Sequence, residues 1–373
     1  MMDNIRRGLL DLPISYSLGY CWCSGSLLSA VIGIQVLTGI ILSFVYIATP
    51  TQAFFCVLGE TIDSFFYWVC RYLHIWGVSV IFCLMFIHMG RSLYYSSYSK
   101  IGVWNVGFVL YLMLMVEAFV GYVLPWHQMS YWAATVLTTI VQGLPLIGSG
   151  LYAYVVGGFS VTGVTLLRLF SVHVCLGLFL VCVIVLHISY LHNSGSNNPL
   201  YVLPGYSDVI YFHSHHTSKD FFSLMVVSIG CFFCIWVTPD LVVDPDGYVE
   251  AQPLVTPASI KPEWYFLAYY ALIRAVESKI GGLLFVTSIL FLLWVPTTNL
   301  CCVYSVVRQI LFWLICNSFM GLIYLGLCHP NTLYLFICNV YGVILLLSLF
   351  CFKGLWVITN TMAMCLVEWW QLI

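Results

Sequence analysis

The stretch that decides the fold is "HIWGVSVIFCLMFIH", residues 74–88, an apolar segment with a histidine at each end. A second stretch, "HVCLGLFLVCVIVLH" at residues 173–187, repeats the same spacing. Fourteen residues of α-helix rise about 21 Å and complete nearly four turns. The two histidines of each stretch therefore lie on almost the same face of a helix, one toward each end.

The composition of the whole chain is that of a protein built for lipid. Hydrophobic residues make up 62% of the 373 positions and charged residues only 7%, with a mean hydropathy of +1.00, whereas a soluble domain carries roughly 25% charged residues. The net charge of −2 and the lack of a basic run argue against a nucleic-acid partner. The sixteen cysteines lie scattered in apolar segments, which is typical of small buried residues rather than of a disulfide framework.

Eight segments are long enough to cross a bilayer, which needs about 20 apolar residues per helix. The predicted fold class is therefore all-α, a polytopic membrane protein whose first four helices form a bundle. The predicted spans are 22–47, 67–92, 103–125, 165–190, 221–238, 282–303, 310–328 and 333–356. Three connecting regions, 48–66, 126–164 and 239–281, are long enough to contribute to a site.

The distribution of basic residues predicts the orientation. Eight spans place both termini on one side of the membrane. The basic residues on that side are Arg6, Arg7, Arg91, Lys100, Lys219, Arg308 and Lys353. Those on the opposite side are Arg71, Arg168, Lys261, Arg274 and Lys279, most of them in long loops. The positive-inside rule then predicts termini in the matrix or cytoplasm.

The two histidine-bearing segments run in the same direction, because an even number of crossings separates them. His74 can then face His173 at one depth of the membrane, and His88 can face His187 at another. A flat macrocycle with two axial positions fits between such pairs, and haem is the best candidate.

Glycine spacing and flanking arginines support the haem interpretation. Pairs of glycines fourteen residues apart occur in the first and third spans, and they are Gly25 with Gly39 and Gly107 with Gly121. Glycine leaves space where a bulky group approaches a backbone. Arg71 and Arg91 flank the histidines and are suitable partners for haem propionates, whereas Arg168 is expected to mark only the interface. Taken singly, a histidine is also consistent with a proton relay and a glycine with helix packing; the repeated spacing favours haem.

Four longer motifs resemble signatures of cytochrome b, the membrane core of quinol–cytochrome c reductase, over nearly the whole chain. They are "GYVLPWHQMSYWAATV" at 121–136, "LHNSGSNNP" at 191–199, "DPDGY" at 244–248 and "KPEWYFLAYYALIR" at 261–274. The resemblance implies a lower-potential haem bL held by His74 and His173 and a higher-potential haem bH held by His88 and His187. Gln35 and Ser97 are further expected haem contacts.

The resemblance also implies a quinol-oxidising site at the "PEWY" loop. Quinol oxidation releases protons, and Glu263 is the expected acceptor, because burial in an apolar pocket raises the pKa of a carboxyl group. The residues expected to shape the pocket are Tyr265, Tyr270, Tyr122 and Phe119. On its own, a "PEWY" stretch is also consistent with a simple turn.

A quinone-reducing site is expected at the opposite side of the membrane. Quinone reduction needs hydrogen-bond and proton donors, which His192 and Asp220 can supply. The other candidates are Ser196, Lys219, Trp22 and Ser26. Because these residues lie in or near loops, a plain solvated loop is the alternative.

Two single positions and one short stretch depart from the family pattern. His127 stands in "LPWHQM" where glycine is usual, and Ala133 stands in "YWAAT" where glycine is common. The methyl group of Ala133 is expected to reduce sensitivity to methoxyacrylate-type inhibitors. The "HSHH" stretch at 213–216 is richer in histidine than the pattern, and mobile loop histidines are expected there rather than a metal site.

The resemblance implies the proton-motive Q cycle of complex III as the function. Two regions are expected to share it: residues 1–219 form the dihaem four-helix bundle with the quinone-reducing site, and residues 220–373 form a C-terminal four-helix region with the "PEWY" loop of the quinol-oxidising site. The chain has neither an iron–sulfur pattern nor a CxxCH motif, so it is expected to work inside a complex. The resemblance implies a Rieske iron–sulfur protein and a c-type cytochrome as partners, ubiquinone as substrate and a homodimeric complex. The expected location is the mitochondrial inner membrane, with a bacterial plasma membrane as the alternative. The competing functions are a dihaem anchor of another oxidoreductase and a transporter with intramembrane histidines.

Overall fold

The computed structural model describes residue 6 and residues 10–199, 208–297 and 304–355. The predicted all-α class is confirmed, since these residues form twelve α-helices, several short 3-10 turns and one small β-ribbon. The ribbon pairs β1, Pro13–Ser15, with β2, Val209–Tyr211, in antiparallel register. It ties the N-terminal segment to the loop before the fifth long helix.

The helices of the N-terminal half alternate between long spans and short connectors. Their bounds are α1 Ser24–Ser43, α2 Ala53–Asp63, α3 Phe65–Tyr94, α4 Ile101–Val123, α5 Gln128–Gln142, α6 Gly148–Val156 and α7 Gly163–Ser194. In the C-terminal half they are α8 Phe212–Val237, α9 Leu267–Ala275, α10 Lys279–Trp294, α11 Val306–Leu327 and α12 Thr332–Phe350. The three long connecting regions thus contain the shorter helices α2, α5, α6 and α9.

Seven helical segments of the described residues are long and apolar enough to cross a membrane. They are Tyr20–Ser43, Phe65–Tyr94, Ile101–Val123, Gly163–Ser194, Phe212–Val237, Val306–Leu327 and Thr332–Gly354. The predicted sixth span, 282–303, corresponds to the shorter apolar helix α10, and its positions 298–303 lie outside the described residues. Position 356, the end of the predicted eighth span, also lies outside them.

Side-chain caps explain where several of the helices begin. The Ser64 side chain accepts a hydrogen bond from the Tyr67 backbone at the start of α3, and Asn331 does the same at the start of α12. A capping box formed by Thr162 and Thr165 starts α7. Such caps satisfy backbone N–H groups that have no partner inside the helix, which fixes the register of each span.

The first four long helices pack as pairs, with α1 against α3 and α4 against α7. One apolar core joins α1, α3 and α4, and a second fills the space among α9, α10, α11 and α12. The helix α8 packs against α3 and α1. The histidine-bearing helices α3 and α7 therefore lie in one bundle.

Basic side chains meet the backbone at one end of this bundle. Arg308 donates hydrogen bonds to the carbonyl oxygens of Leu93 and Tyr94 at the end of α3. Lys219 donates to the carbonyl oxygen of Leu18, just before α1. This is the end of α3 that carries His88.

Candidate functional site

The four intramembrane histidines meet as two pairs inside the bundle. The ring centroids of His74 and His173 are 6.2 Å apart with an interplanar angle of 82°, and we call this pair site A. The centroids of His88 and His187 are 6.3 Å apart with an angle of 60°, and this pair is site B. An iron held at about 2 Å from each imidazole nitrogen requires centroids roughly 6 Å apart. Both pairs therefore have the spacing that bis-histidine ligation of haem requires.

At site A, two glycines make room for the imidazoles. A Cβ added at Gly39 would lie 3.2 Å from Cε1 of His74, and one at Gly121 would lie 2.6 Å from Cε1 of His173. Side chains at these positions would displace the rings. The first and third spans therefore approach the histidine-bearing helices closely because they lack side chains at these positions.

Site B has the same arrangement, fourteen residues farther along each helix. A Cβ at Gly25 would lie 3.3 Å from Cε1 of His88, and one at Gly107 would lie 2.9 Å from Cε1 of His187. All four glycines found by their spacing thus face a histidine ring. The spaces between the paired histidines therefore fit two haem groups, each of which would be held by one histidine from α3 and one from α7.

Hydroxyl groups orient two of the imidazoles. Oγ1 of Thr38 lies 3.0 Å from Nδ1 of His74, and Oγ of Ser24 lies 3.1 Å from Nδ1 of His88. Such partners leave the other ring nitrogen free for a metal. The sequence reasoning missed these two residues, although the signal was present: each hydroxyl directly precedes one of the spaced glycines.

A carboxyl group contacts the third imidazole. Oε1 of Glu117 lies 2.9 Å from Nδ1 of His173, and both side chains are largely buried. The sequence reasoning missed Glu117 as well. Its signal is an ionisable residue within an apolar span, one helical turn before Gly121.

Site A opens into a cavity of about 310 Å³. Its lining includes the predicted residues Arg71, Gln35, Glu263, Tyr265 and Tyr122 together with both histidines of site A. The structure therefore brings the expected haem contacts and the "PEWY" loop to the same space, which we call cavity A.

Two of the polar residues that line cavity A are oriented by neighbours. The Arg71 side chain donates a hydrogen bond of 2.8 Å to Oγ1 of Thr61. The Gln35 amide donates to the carbonyl oxygen of Leu73 at 3.2 Å, whereas its Oε1 atom is buried without a partner among the described residues. A Cβ at Gly77 would lie 1.8 Å from Nε2 of Gln35, so the glycine makes this orientation possible.

The carboxyl group of Glu263 is the proton-accepting candidate in cavity A. Burial, reinforced by the nearby charge of Asp244, raises the pKa of Glu263 to about 7, while a hydrogen bond with Tyr122 opposes the rise. A carboxyl group with this pKa exchanges protons near neutral pH. The adjacent Tyr265 stacks on Phe82 with centroids 4.0 Å apart and an angle of 3°, which fixes the loop against α3.

Two residues expected to shape this pocket lie elsewhere. The Tyr270 hydroxyl donates to the carbonyl oxygen of Ile260, and its ring contacts Arg274. Phe119 packs against the apolar cluster around Val120 and Trp126. Neither side chain lines cavity A. Outside the cavity, Arg168 donates a hydrogen bond to the carbonyl oxygen of Tyr154.

Site B has a smaller cavity of about 70 Å³, which we call cavity B. Among the predicted residues, Arg91, Ser97 and Ser196 line it together with His88 and His187. Lys100 lines it too, and burial lowers the pKa of its ammonium group to about 8. The group donates to the carbonyl oxygens of Ser194 and Gly195.

Several of the remaining quinone-reducing candidates lie near the beginning of α1. The Arg91 guanidinium lies 5.7 Å from the ring centroid of Trp22, whose indole N–H is buried without a partner among the described residues. Asp220 is hydrogen-bonded to the Cys23 side chain, and Lys219 reaches Leu18. His192 is half-buried and Ser26 is exposed, and neither lines cavity B.

The unusual His127 is a structural residue as well as a lining residue of cavity A. Its Nδ1 atom accepts a hydrogen bond of 3.1 Å from the Ser130 backbone and caps α5. Burial, together with the charge of Arg71, lowers the pKa of His127 to about 3, so the ring is neutral. Its ring stands edge-on to Tyr122, with centroids 5.3 Å apart.

The other departures from the family pattern lie outside cavity A. Ala133 is half-buried on α5 and does not line the cavity. In the "HSHH" stretch, Nε2 of His216 lies 3.1 Å from the carbonyl oxygen of Ser15. Within the described residues, no group of three or more histidine, cysteine, aspartate or glutamate side chains could hold a metal ion.

Comparisons with known proteins agree with this architecture. The family model "Cytochrome b/b6/petB" matches residues 9–195, half of the chain, and "Cytochrome b(C-terminal)/b6/petD" matches residues 250–346. A solved chain of the hyperthermophilic respiratory Complex III is similar over 94% of this chain and 95% of its own, with 26% identity and a TM-score of 0.88. Members of this family normally bind haem and form the core of a redox enzyme. The chain belongs to the cytochrome b/b6 family and is a multi-pass cytochrome b of the bc-complex type.

Proposed function

We propose that this chain is the dihaem subunit of a ubiquinol–cytochrome c oxidoreductase that works by the Q cycle. The observation that carries the proposal is the pair of histidine sites, with ring centroids 6.2 Å and 6.3 Å apart and a glycine facing each ring. When bound, the two haems supply one-electron carriers stacked between the two ends of the bundle.

In this proposal quinol is oxidised in cavity A. Glu263 accepts a proton from the quinol hydroxyl, because burial and the charge of Asp244 place its pKa at about 7. A hydrogen bond with Tyr122 opposes this rise in the pKa of Glu263. Arg71, which lines the same cavity, is suited to pair with a haem propionate.

Quinone is reduced at the opposite end of the bundle, near cavity B. Ser196 lines this cavity, and the positive charge of Arg91 lies beside Trp22. His192, Lys219 and Asp220 serve there as hydrogen-bond and proton donors to the quinone carbonyls. Protons are therefore released at the end with site A and taken up at the end with site B, so turnover separates charge across the membrane.

The chain works within a complex. A Rieske iron–sulfur protein takes one electron from each quinol beside the "PEWY" loop and passes it to a c-type cytochrome, and the complex is a homodimer. The excess of basic residues at the His88 end supports an orientation with that end at the negative side. The proposed location is the mitochondrial inner membrane, with both termini in the matrix.

The test is a reduced-minus-oxidised spectrum of the purified complex and of variants in each histidine site. We expect two b-type signals, one lost in His74→Ala and the other lost in His88→Ala. Quinol–cytochrome c reductase activity of the unmodified complex distinguishes this function from that of a dihaem anchor in another oxidoreductase. A complex without haem, or one with haem but no quinol oxidation in Glu263-intact protein, would refute the proposal.

A further inference from the structure

Glu117 is the only acidic residue of α4, Ile101–Val123, and lies deep within a membrane span. Its Oε1 atom is 2.9 Å from Nδ1 of His173, and its side chain is only 15% exposed. The backbone carbonyl oxygen of the same residue lies 3.2 Å from the same nitrogen. Carboxyl groups are rare and functional at such depth, so this contact requires an explanation.

The opposite helix provides space for the carboxyl group. Gly177 lies one helical turn after His173 on α7, and a Cβ there would be 2.9 Å from Oε1 of Glu117. Any larger residue at this position would push the carboxyl group away from the imidazole. Both helices therefore contribute to the contact: α4 supplies the carboxyl group, and α7 supplies the space because Gly177 has no side chain.

The fourteen-residue repeat shows that site B lacks this arrangement. On α7, the positions fourteen residues after His173 and Gly177 are His187 and Leu191. On α4, which runs the opposite way, the positions fourteen residues before Gly121 and Glu117 are Gly107 and Val103. Val103 and Leu191 both line cavity B. The Nδ1 atom of His187 is buried and lies beside the Val103 backbone, with no carboxyl group in hydrogen-bonding range among the described residues.

The remaining two imidazoles have no carboxyl partner among the described residues. Nδ1 of His74 faces the Thr38 hydroxyl, and Nδ1 of His88 faces the Ser24 hydroxyl at 3.1 Å and the Arg91 guanidinium at 3.2 Å. Among the four histidines, His173 is the one whose described partner is a carboxyl group. The two sites therefore differ in the charged group beside their imidazoles, which is a carboxyl group at site A and a guanidinium group at site B.

We propose that Glu117 is a positioning residue that accepts the Nδ1–H hydrogen bond of His173 and lowers the reduction potential of the haem at site A. The inference rests on the proposed binding of haem. A carboxylate that accepts this hydrogen bond fixes the ring tautomer and makes the other nitrogen a stronger donor to the metal. It also places negative charge near the iron, which stabilises the oxidised form.

The test is a spectroscopic redox titration of the purified complex carrying Glu117→Gln, at one fixed pH. The amide keeps the size and the hydrogen-bonding capacity of the side chain but removes its charge. We expect the midpoint potential of the site A haem to rise and that of the site B haem to stay unchanged. Equal shifts of both haems, or no shift while both haems are retained, would overturn the inference.

Two further variants keep the inference testable if Glu117→Gln loses haem. Gly177→Ala crowds the carboxyl group without changing any charge, and we expect it to raise the site A potential as well. Val103→Glu combined with Leu191→Gly transfers the carboxyl–glycine pair to site B, where we expect the potential to fall. An unchanged potential in both variants would overturn the inference alone, whereas absence of haem from the unmodified complex would overturn the proposed function too.

Discussion

The imidazole of His173 occupies the space that a side chain at Gly121 would need, because a Cβ at that position would lie 2.6 Å from the ring atom Cε1. The corresponding distance is 2.9 Å between Gly107 and His187. At Gly39 and Gly25 the distances to their histidines are 3.2 Å and 3.3 Å. The third span therefore approaches the histidine-bearing helices more closely than the first.

These distances predict a graded loss of haem on substitution by alanine. Gly121→Ala should displace His173 and abolish the b-type signal of site A, whereas Gly25→Ala should reduce the site B signal only slightly. Alanine is intrinsically about 1 kcal/mol better than glycine within a helix, so any loss must come from the steric clash. The measurement is the haem content of the purified complex by difference spectroscopy.

Gly33 provides the matched control, because it lies on α1 with no atom within 4 Å of an added Cβ. Gly33→Ala should retain both haem signals. Equal haem content in Gly121→Ala and Gly33→Ala would contradict the steric explanation.

The raised pKa of Glu263 predicts the pH dependence of quinol oxidation. The pKa is about 7, and only the deprotonated carboxylate accepts a proton, so kcat/KM should rise with pH and level off above this value. Glu263→Gln should lower kcat/KM about a hundredfold, the usual contribution of a general base, and abolish the inflection. The measurement is the pH profile of reductase activity.

Two neighbours of Glu263 should move this inflection in opposite directions. Asp244→Asn removes a negative charge that raises the pKa, so the inflection should move to lower pH. Tyr122→Phe removes a hydrogen bond that lowers the pKa, so the inflection should move to higher pH. Shifts in the same direction would show that a different group controls the rate.

The side chain of His127 predicts a stability effect that is separate from catalysis. His127→Ala removes the acceptor for the Ser130 N–H at the start of α5. Losing such a cap costs about 1 kcal/mol, so the thermal unfolding midpoint of the complex should fall. His127→Ser supplies a hydroxyl cap and should restore most of the loss; equal midpoints for both variants would disprove the capping role.

The contact between Gln35 and Gly77 predicts non-additive effects. Gly77→Ala would place a Cβ 1.8 Å from Nε2 of Gln35 and force the amide away from the Leu73 carbonyl oxygen. In a Gln35→Ala background this clash is absent, so adding Gly77→Ala should raise the free energy of unfolding by up to about 1 kcal/mol, the intrinsic preference of a helix for alanine. Coupling energies of contacting residues reach about 0.5–3 kcal/mol. Additive changes in a denaturation series would contradict the contact.

Much of the fold follows from local pattern. The long apolar segments predict the spans, and the observed helices agree with them, apart from the shortened α10. The spacing of fourteen residues places His74 and His88 on one face because the pitch of an α-helix depends only on its own backbone. The same reasoning extends to the four glycines, each of which faces a histidine ring.

The contacts of the residues around cavity A could not be predicted from the spacing of residues in the sequence. Both Tyr265 and Tyr270 lie in the "KPEWYFLAYYALIR" motif at 261–274, yet only Tyr265 lines cavity A, whereas Tyr270 turns toward Ile260. The direction of each side chain depends on the elements that pack around it, and the periodicity of the local sequence does not specify those elements.

By itself, the sequence determined a helical membrane protein with two levels of paired histidines, since length, hydropathy and helical periodicity are properties of each segment alone. Only the tertiary structure decided that Glu117 faces His173 instead of lipid and that Gly177 makes room for its carboxyl group. The rotation of one helix against another is set by packing across the bundle, so these contacts exist only once the helices have assembled.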